Sequence, residues 1–147
     1  MNIVVDTSVW SLVLRRKLVD EGHPTVILFR SLITEGNALY LVGPILQELL
    51  DGVASTGQFH KLIEILDPFP LIDIGRKVFI AASELRNHCR KKGIEAGVTD
   101  FLIAAACIET GFPLFTRDGD FERIAQASDL LLISEVKKQR PHESNPL

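Results

Sequence analysis

The sequence predicts a single α/β domain built on a mostly parallel sheet of about five strands, with helices covering both faces. Its 147 residues, 46% of them hydrophobic, suffice for one sizeable core and leave little room for a second. Short β-branched runs alternate with longer segments of helical periodicity, and the links between them are short. Such alternation is typical of parallel strands joined by helical crossovers.

The first half of the chain alternates two strands with four helices. The predicted strands are residues 3–5 and 39–42, and the predicted helices follow Thr7 and Ser8, run over 24–33, begin at Gly43-Pro44 and run over 59–66. Thr7 and Ser8 are capping residue types, and Pro24 suits the first turn of a helix because the N–H that proline lacks would have no helical partner there. Gly36 is the expected C-terminal stop of the second helix.

The second half continues the same alternation. We expect a weak strand over 71–74, helices over 76–92, 100–110 and 120–127, and strands over 112–116 and 130–133. Gly93 and Gly111 close the first two of these helices, and Thr99 caps the second of them. The domain is therefore expected to span residues 1–135, followed by a polar tail, 136–147, that carries two prolines.

Composition argues against several classes of protein. No apolar run approaches the roughly 20 residues that cross a bilayer, and the amino terminus lacks the basic region of a signal peptide. Cys89 and Cys107 match no metal-binding spacing, so a soluble protein in the reducing cytoplasm is expected. The net charge of −3 argues only weakly against nucleic acid, because carboxylates gathered around a cation make a chain acidic without covering its whole surface.

Four acidic residues stand where an α/β protein commonly binds its ligands. Asp6 ends the first predicted strand, and Glu48 lies one turn into the helix after the second. Asp100 begins an otherwise apolar helix, and Asp118 follows the strand that ends at Thr116. In a parallel sheet all four positions lie at the carboxyl edge of the strands, which is the usual ligand-binding edge.

Gathered carboxylates favour a hard divalent cation such as Mg²⁺ or Mn²⁺, which prefers oxygen ligands and bridges to phosphates. The set contains no histidine or cysteine, which argues against zinc. Each acid also has a structural alternative: Asp6 as a helix cap, Glu48 as a solvated helix residue, and Asp100 as a complement to the helix dipole. Either Asp118 or Asp120 is expected to cap the helix that follows them.

Two hydroxyls accompany the acids. Ser8 and Thr116 are candidates for orienting a carboxylate or a water molecule, although both also suit their local helix and strand positions. Arg117, between Thr116 and Asp118, is placed to contact substrate or an acidic partner.

Four segments together resemble a PIN domain, specifically the VapC-type toxin endoribonucleases of prokaryotic toxin–antitoxin pairs. They are Val4-Val5-Asp6-Thr7-Ser8-Val9-Trp10, Pro44-Ile45-Leu46-Gln47-Glu48-Leu49, Thr99-Asp100-Phe101-Leu102-Ile103-Ala104-Ala105-Ala106 and Leu114-Phe115-Thr116-Arg117-Asp118-Gly119-Asp120-Phe121. Each segment is weak alone, but their order and spacing cover nearly the whole chain to about Ile133.

The resemblance implies a three-layer PIN-like fold and a metal-dependent endoribonuclease that hydrolyses RNA phosphodiester bonds with a metal-activated water. It also implies a homodimer and a small cognate antitoxin that inserts into the active-site groove. The metal ligands for Mg²⁺ or Mn²⁺ would be Asp6, Glu48, Asp100 and Asp118, with Asp120 as a possible fifth acid and Ser8, Thr116 and Arg117 in support.

Two alternatives remain open at this point. A phosphoryl-transfer protein of the haloacid-dehalogenase type would want a second aspartate where Ser8 stands, and a receiver domain would want adjacent acids near the first strand, where Asp6 is alone. A non-catalytic PIN-like module that binds RNA or protein would not need the complete acid set.

Other features are less specific. The basic clusters Arg15-Arg16-Lys17 and 86–92 suit either RNA phosphates or solvated helix ends. Apolar residues of the first two helices, namely Trp10, Leu12 and Leu28, are the sequence basis for expecting a dimer interface, although a chain of this size could bury them internally.

Overall fold

The structure, a computed structural model, describes residues 1–15 and 18–134. Its strands are β1 (Asn2–Val5), β2 (Ala38–Val42), β3 (Leu71–Ile72), β4 (Leu114–Phe115) and β5 (Leu132–Ile133). Its helices are α1 (Thr7–Val13), α2 (Pro24–Thr34), α3 (Gly43–Leu50), α4 (Thr56–Leu66), α5 (Arg76–Lys91), α6 (Val98–Thr110) and α7 (Gly119–Gln126). The predicted alternation of strands and helices is confirmed.

The five strands form one sheet in the order β3-β2-β1-β4-β5, and every pairing is parallel. β1 is central, and its Ile3, Val4 and Val5 are fully buried, as expected for a strand covered on both faces. The strand order reverses direction at β1, so the loops that leave β1 and β4 diverge at the carboxyl edge and open a crevice there.

Several local predictions were wrong in detail; for example, α4 starts at Thr56 rather than 59, and β4 and β5 are shorter than predicted. The third strand pairs with β2 only over Leu71–Ile72, so it is shorter than the predicted 71–74. Thr7 and Ser8 do not cap α1, because the carboxylate of Asp6 accepts the N–H of Ser8 and takes that role itself. Helix α6 starts at Val98 rather than Asp100, and Gly97 rather than Thr99 is its N-cap, since the Asp100 carboxylate reaches back to the Gly97 N–H and closes an earlier first turn.

Trp10 belongs to the core rather than to a surface. Its side chain is 1% exposed, and its ring packs edge-on against Phe29 at 5.2 Å and Phe69 at 4.8 Å between centroids. Its indole Nε1 donates a 3.0 Å hydrogen bond to the carbonyl of Val5, which satisfies the one polar group of the ring. Trp10 therefore ties α1 and α2 to the end of β1.

The proposed basis for a dimer interface is corrected by the same burial. Leu12 and Leu28 are each 7% exposed, and with Trp10 they face the interior of the chain. They are consequently not available to a second copy. Cys107 is also buried, in α6, and burial raises the pKa of its thiol to about 12, so it is an inert core residue.

Within the described part of the chain, no helix is both long and apolar enough to span a bilayer. The predicted tail, 136–147, and two members of the first basic cluster, Arg16 and Lys17, lie outside the described residues. At the other basic cluster, His88, Arg90 and Lys91 occupy the last turn of α5, where cations complement the helix dipole.

Candidate active site

Asp6 lies at the carboxyl end of β1 and is 6% exposed. Its Oδ2 accepts hydrogen bonds from the Ser8 hydroxyl at 2.7 Å, the Thr116 hydroxyl at 2.9 Å and the Ser8 backbone N–H at 3.4 Å. Because so many donors converge on one oxygen, the carboxylate is held in a single orientation although it is buried.

Ser8 and Thr116 also connect Asp6 to the loop after β4. The Thr116 hydroxyl accepts the Asp118 backbone N–H at 3.0 Å, and the Ser8 hydroxyl accepts the Arg117 backbone N–H at 3.0 Å. The two predicted supporting hydroxyls therefore fix both the carboxylate of Asp6 and the position of the β4–α7 loop. The side chain of Arg117 is exposed at this edge.

Asp118 caps α7, accepting the Asp120 backbone N–H at 2.9 Å through Oδ1, so the expectation that one of this pair is a helix cap is confirmed. A second carboxylate, that of Asp120, follows within the first turn of the same helix and contacts Arg123 in an ion pair. Sequence reasoning missed Arg123, although its position three residues after Asp120 on a helix is the signal that could have found it.

Three carboxylates converge in the crevice. Ligand oxygens of Asp100, Asp118 and Asp120 all lie within 4.8 Å of one another, and they form the only such acidic, histidine or cysteine group among residues 1–15 and 18–134. All three are partly buried. Asp6 and Glu48 lie outside this group, so the structure brings together two of the four predicted ligands with the possible fifth acid.

The surroundings of Asp100 shift the pKa of its carboxyl group. Its pKa is raised above the usual 3.8, first by burial and then by the nearby negative charges of Asp118, Asp120 and Asp6, against the lowering effect of the Gly97 N–H. This hydrogen bond is 3.0 Å long, and a Cβ at position 97 would stand 3.1 Å from the Asp100 Oδ2, so a larger residue there would make this carboxylate shift by a few tenths of an ångström. The repulsion between Asp6 and Asp100 places Asp6 within electrostatic reach of the three-carboxylate group.

Glu48 occupies an exposed position on α3. Its Oε2 accepts a 3.0 Å hydrogen bond from the hydroxyl of Thr7, the residue between Asp6 and Ser8. This bond links the first turn of α1 to α3 across 41 positions of sequence. The side chain of Glu48 is thereby held on the α1 side of the crevice, next to the residue that follows Asp6.

In each of the four predicted metal ligands, the two carboxylate oxygens differ in their hydrogen bonding. One oxygen accepts a protein hydrogen bond: Oδ2 in Asp6, Oδ2 in Asp100, Oδ1 in Asp118 and Oε2 in Glu48. The other oxygen has no donor among the residues that the structure describes. Hard divalent cations prefer such oxygens, and no histidine or cysteine joins the group, so the donor set fits Mg²⁺ or Mn²⁺ better than zinc.

A groove of about 600 Å³ lies between α1, α3 and α4. Its walls are mainly aliphatic, including Leu14, Leu49 and Leu62, and Arg15 and Lys61 supply positive charge. Leu49 follows Glu48 on α3, but none of the four predicted metal ligands lines this groove.

Comparison with known proteins agrees with this architecture. A family model described as PIN domain matches residues 3–127. The chain is 28% identical over 131 residues to the VapC ribonuclease Mb1587 of Mycobacterium bovis, an alignment that covers 87% of this chain and 95% of that protein.

Two solved structures illustrate the likeness in fold. VapBC2 from Rickettsia felis, bound to a DNA fragment from its promoter, gives a TM-score of 0.73 at 22% identity and covers 90% of this chain and 98% of that one. VapBC-5 from Mycobacterium tuberculosis, a member of the VapBC family of toxin–antitoxin systems, gives 0.64 at 23% identity, with 90% and 97% covered.

Proposed function

Because the chain belongs to the PIN domain family, we propose that it is a divalent-metal-dependent endoribonuclease that hydrolyses RNA phosphodiester bonds. The observation that carries the proposal is the convergence of the Asp100, Asp118 and Asp120 carboxylates beside Asp6 at the carboxyl edge of the sheet. The relative from Mycobacterium bovis that bears the name ribonuclease supports the same activity. Membership of the PIN family disfavours the phosphoryl-transfer alternative.

Asp6, Glu48, Asp100 and Asp118 are proposed as the residues that hold Mg²⁺ or Mn²⁺, with Asp120 adding a fifth carboxylate. When bound, such a cation lowers the pKa of a water to give a nucleophile and stabilises negative charge on the phosphate. Ser8 and Thr116 keep Asp6 oriented by saturating its Oδ2. Arg117, exposed at the edge of the crevice, is placed to contact a substrate phosphate.

We expect purified protein to cleave single-stranded RNA only when a divalent cation is present, because four acids with no soft ligand among them suit metal-activated water. Cleavage should stop in excess EDTA and return when Mg²⁺ or Mn²⁺ is restored above the chelator. A gel assay on end-labelled RNA measures this, with protein purified in parallel as Asp100→Asn to exclude a contaminating nuclease. Undiminished cleavage in verified metal-free conditions would contradict the mechanism, and no cleavage under any condition would favour a non-catalytic module.

We also propose that the chain is the toxin of a toxin–antitoxin pair and that its partner is a small cognate antitoxin, since the fold of the chain matches chains solved in VapBC toxin–antitoxin complexes. The groove between α1, α3 and α4 supports this proposal. Its aliphatic walls suit the apolar face of a partner segment, and Arg15 and Lys61 suit acidic residues at the rim of that segment. Two buried free thiols fit the reducing cytoplasm in which such a complex and its RNA would meet.

A homodimer is proposed on family resemblance alone, because the first two helices bury the apolar residues that had suggested an interface. We expect light scattering at micromolar concentration to give about twice the 16.3 kDa of one chain. The measurement should cover a series of protein concentrations, and it should be repeated at high salt to remove weak charge-driven association. A species of 16.3 kDa throughout the series would contradict the dimer.

A further inference from the structure

Thr7 lies in the sequence between Asp6 and Ser8, which hydrogen-bond to each other, but its own hydroxyl bonds to a different residue. Asp6 and Ser8 are joined through Oδ2 and the Ser8 hydroxyl, whereas the Thr7 hydroxyl donates to Glu48 Oε2 at 3.0 Å. Thr7 is partly buried at the first position of α1, and Glu48 is exposed on α3. The first two residues of α1 therefore orient two different carboxylates, Thr7 that of Glu48 and Ser8 that of Asp6.

An exposed glutamate needs such a partner more than the buried aspartates do. Glutamate has a longer side chain than aspartate, and immobilising it costs more rotamer entropy. Asp6 is fixed by several donors in a buried environment, but among the described residues Thr7 provides the single hydrogen-bond donor to Glu48. Without that donor, no other hydrogen bond among the described residues would select the Glu48 rotamer that lies on the α1 side of the crevice.

We propose that Thr7 is a positioning residue that holds Glu48 by Oε2 and so presents Oε1 to the divalent cation. This inference rests on the proposed metal-dependent function, since it assigns Thr7 a role through one of the proposed ligands. The carboxyl end of β1 then provides a ligand, Asp6, and the orienting group for a second ligand that comes from a different helix. Metal affinity, rather than fold stability, is what this hydrogen bond controls.

The test compares Mn²⁺ binding to the wild type, Thr7→Val and Thr7→Ser by isothermal titration calorimetry. Valine keeps the shape of threonine and a similar helix propensity but has no hydroxyl, whereas serine keeps the donor. Partners that orient a metal ligand typically change affinity by about 10- to 100-fold. We therefore expect Thr7→Val to weaken Mn²⁺ binding about 10-fold or more and Thr7→Ser to bind nearly as the wild type does.

Thr34→Val is the matched control, because Thr34 is an exposed helical threonine whose hydroxyl bonds only to the backbone carbonyl of Arg30. Thr34→Val should bind Mn²⁺ as the wild type does, and circular dichroism should show all variants folded. A cycle with Glu48→Gln isolates the pair: once Glu48 has lost its charge, Thr7→Val should cause little further loss.

Three outcomes would overturn the inference. Thr7→Val could bind Mn²⁺ as tightly as the wild type, Thr7→Ser could fail to restore binding, or Thr7→Val could weaken binding equally with and without Glu48. If instead the wild type binds no Mn²⁺ at all, the proposed function fails together with this inference, and that result is distinct from the other three.

Discussion

Asp100→Asn is expected to abolish RNA cleavage while leaving the protein folded. The substitution keeps the shape of the side chain and an oxygen that can accept the Gly97 N–H, but it removes one negative charge from the group that Asp100 forms with Asp118 and Asp120. Cleavage should fall by about 100-fold or more, because even indirect partners of a metal ligand change metal affinity by about 10- to 100-fold.

In the absence of metal, Asp100→Asn should be at least as stable as the wild type. Burial and the surrounding acids raise the pKa of Asp100, so its charge disfavours the folded state at neutral pH. That penalty is fully present above the raised pKa and disappears as the pH falls below the usual value of 3.8. The stability gained by Asp100→Asn should accordingly be largest near neutral pH and fade under acid conditions.

A surface control separates this effect from a general loss of charge. Glu95→Gln also removes one acidic charge, but its side chain is exposed and outside the three-carboxylate group. We expect it to leave cleavage intact and to change stability by no more than about 0.5 kcal/mol. Full cleavage by Asp100→Asn would mean that the reactive centre lies elsewhere.

The largest effect on stability is expected for Trp10→Ala. Removing a buried aromatic side chain typically lowers the free energy of unfolding by about 3–5 kcal/mol. At Trp10 the change also removes the ring contacts with Phe29 and Phe69 and leaves the Val5 carbonyl without its indole donor. Urea unfolding, followed by circular dichroism because the single tryptophan is lost, measures the difference.

Phe79→Ala is the matched control, since Phe79 is an aromatic residue on α5 that is 55% exposed. It should change the free energy of unfolding by about 0.5 kcal/mol or less. A loss below about 1 kcal/mol for Trp10→Ala would contradict the core position of the ring. Loss of dimerisation in Trp10→Ala without loss of stability would instead indicate that Trp10 lies in a dimer interface.

Sequence patterns predicted the fold well because they are set by local rules. Hydrophobic runs, a proline at the start of α2 and glycines after α5 and α6 mark element types and limits within single segments. Which face of α1 and α2 is covered depends instead on where distant elements pack. Trp10 was therefore correctly placed on a helix, while its partner Phe69 lies far along the chain.

At the site, sequence reasoning treated capping and metal binding as competing roles for each acid. The two roles are compatible, because a carboxylate has two oxygens: Asp118 caps α7 with Oδ1 while it lies in the three-carboxylate group. Asp6 likewise caps α1. Helix N-termini carry partial positive charge, so they lower the cost of gathering these acids. The Thr7–Glu48 contact could not be read from sequence, because its geometry depends on how α1 meets α3.

Paired melting curves of the wild type and Asp100→Asn, each with and without Mn²⁺, test most directly whether these acids bind a metal. With Mn²⁺ at about 100 times its Kd, we expect the melting temperature of the wild type to rise by roughly 5–10 °C. Asp100→Asn should melt at or above the wild type without metal and lose most of that rise. A destabilised Asp100→Asn protein whose Mn²⁺ response matches that of the wild type would contradict the assignment of the metal site.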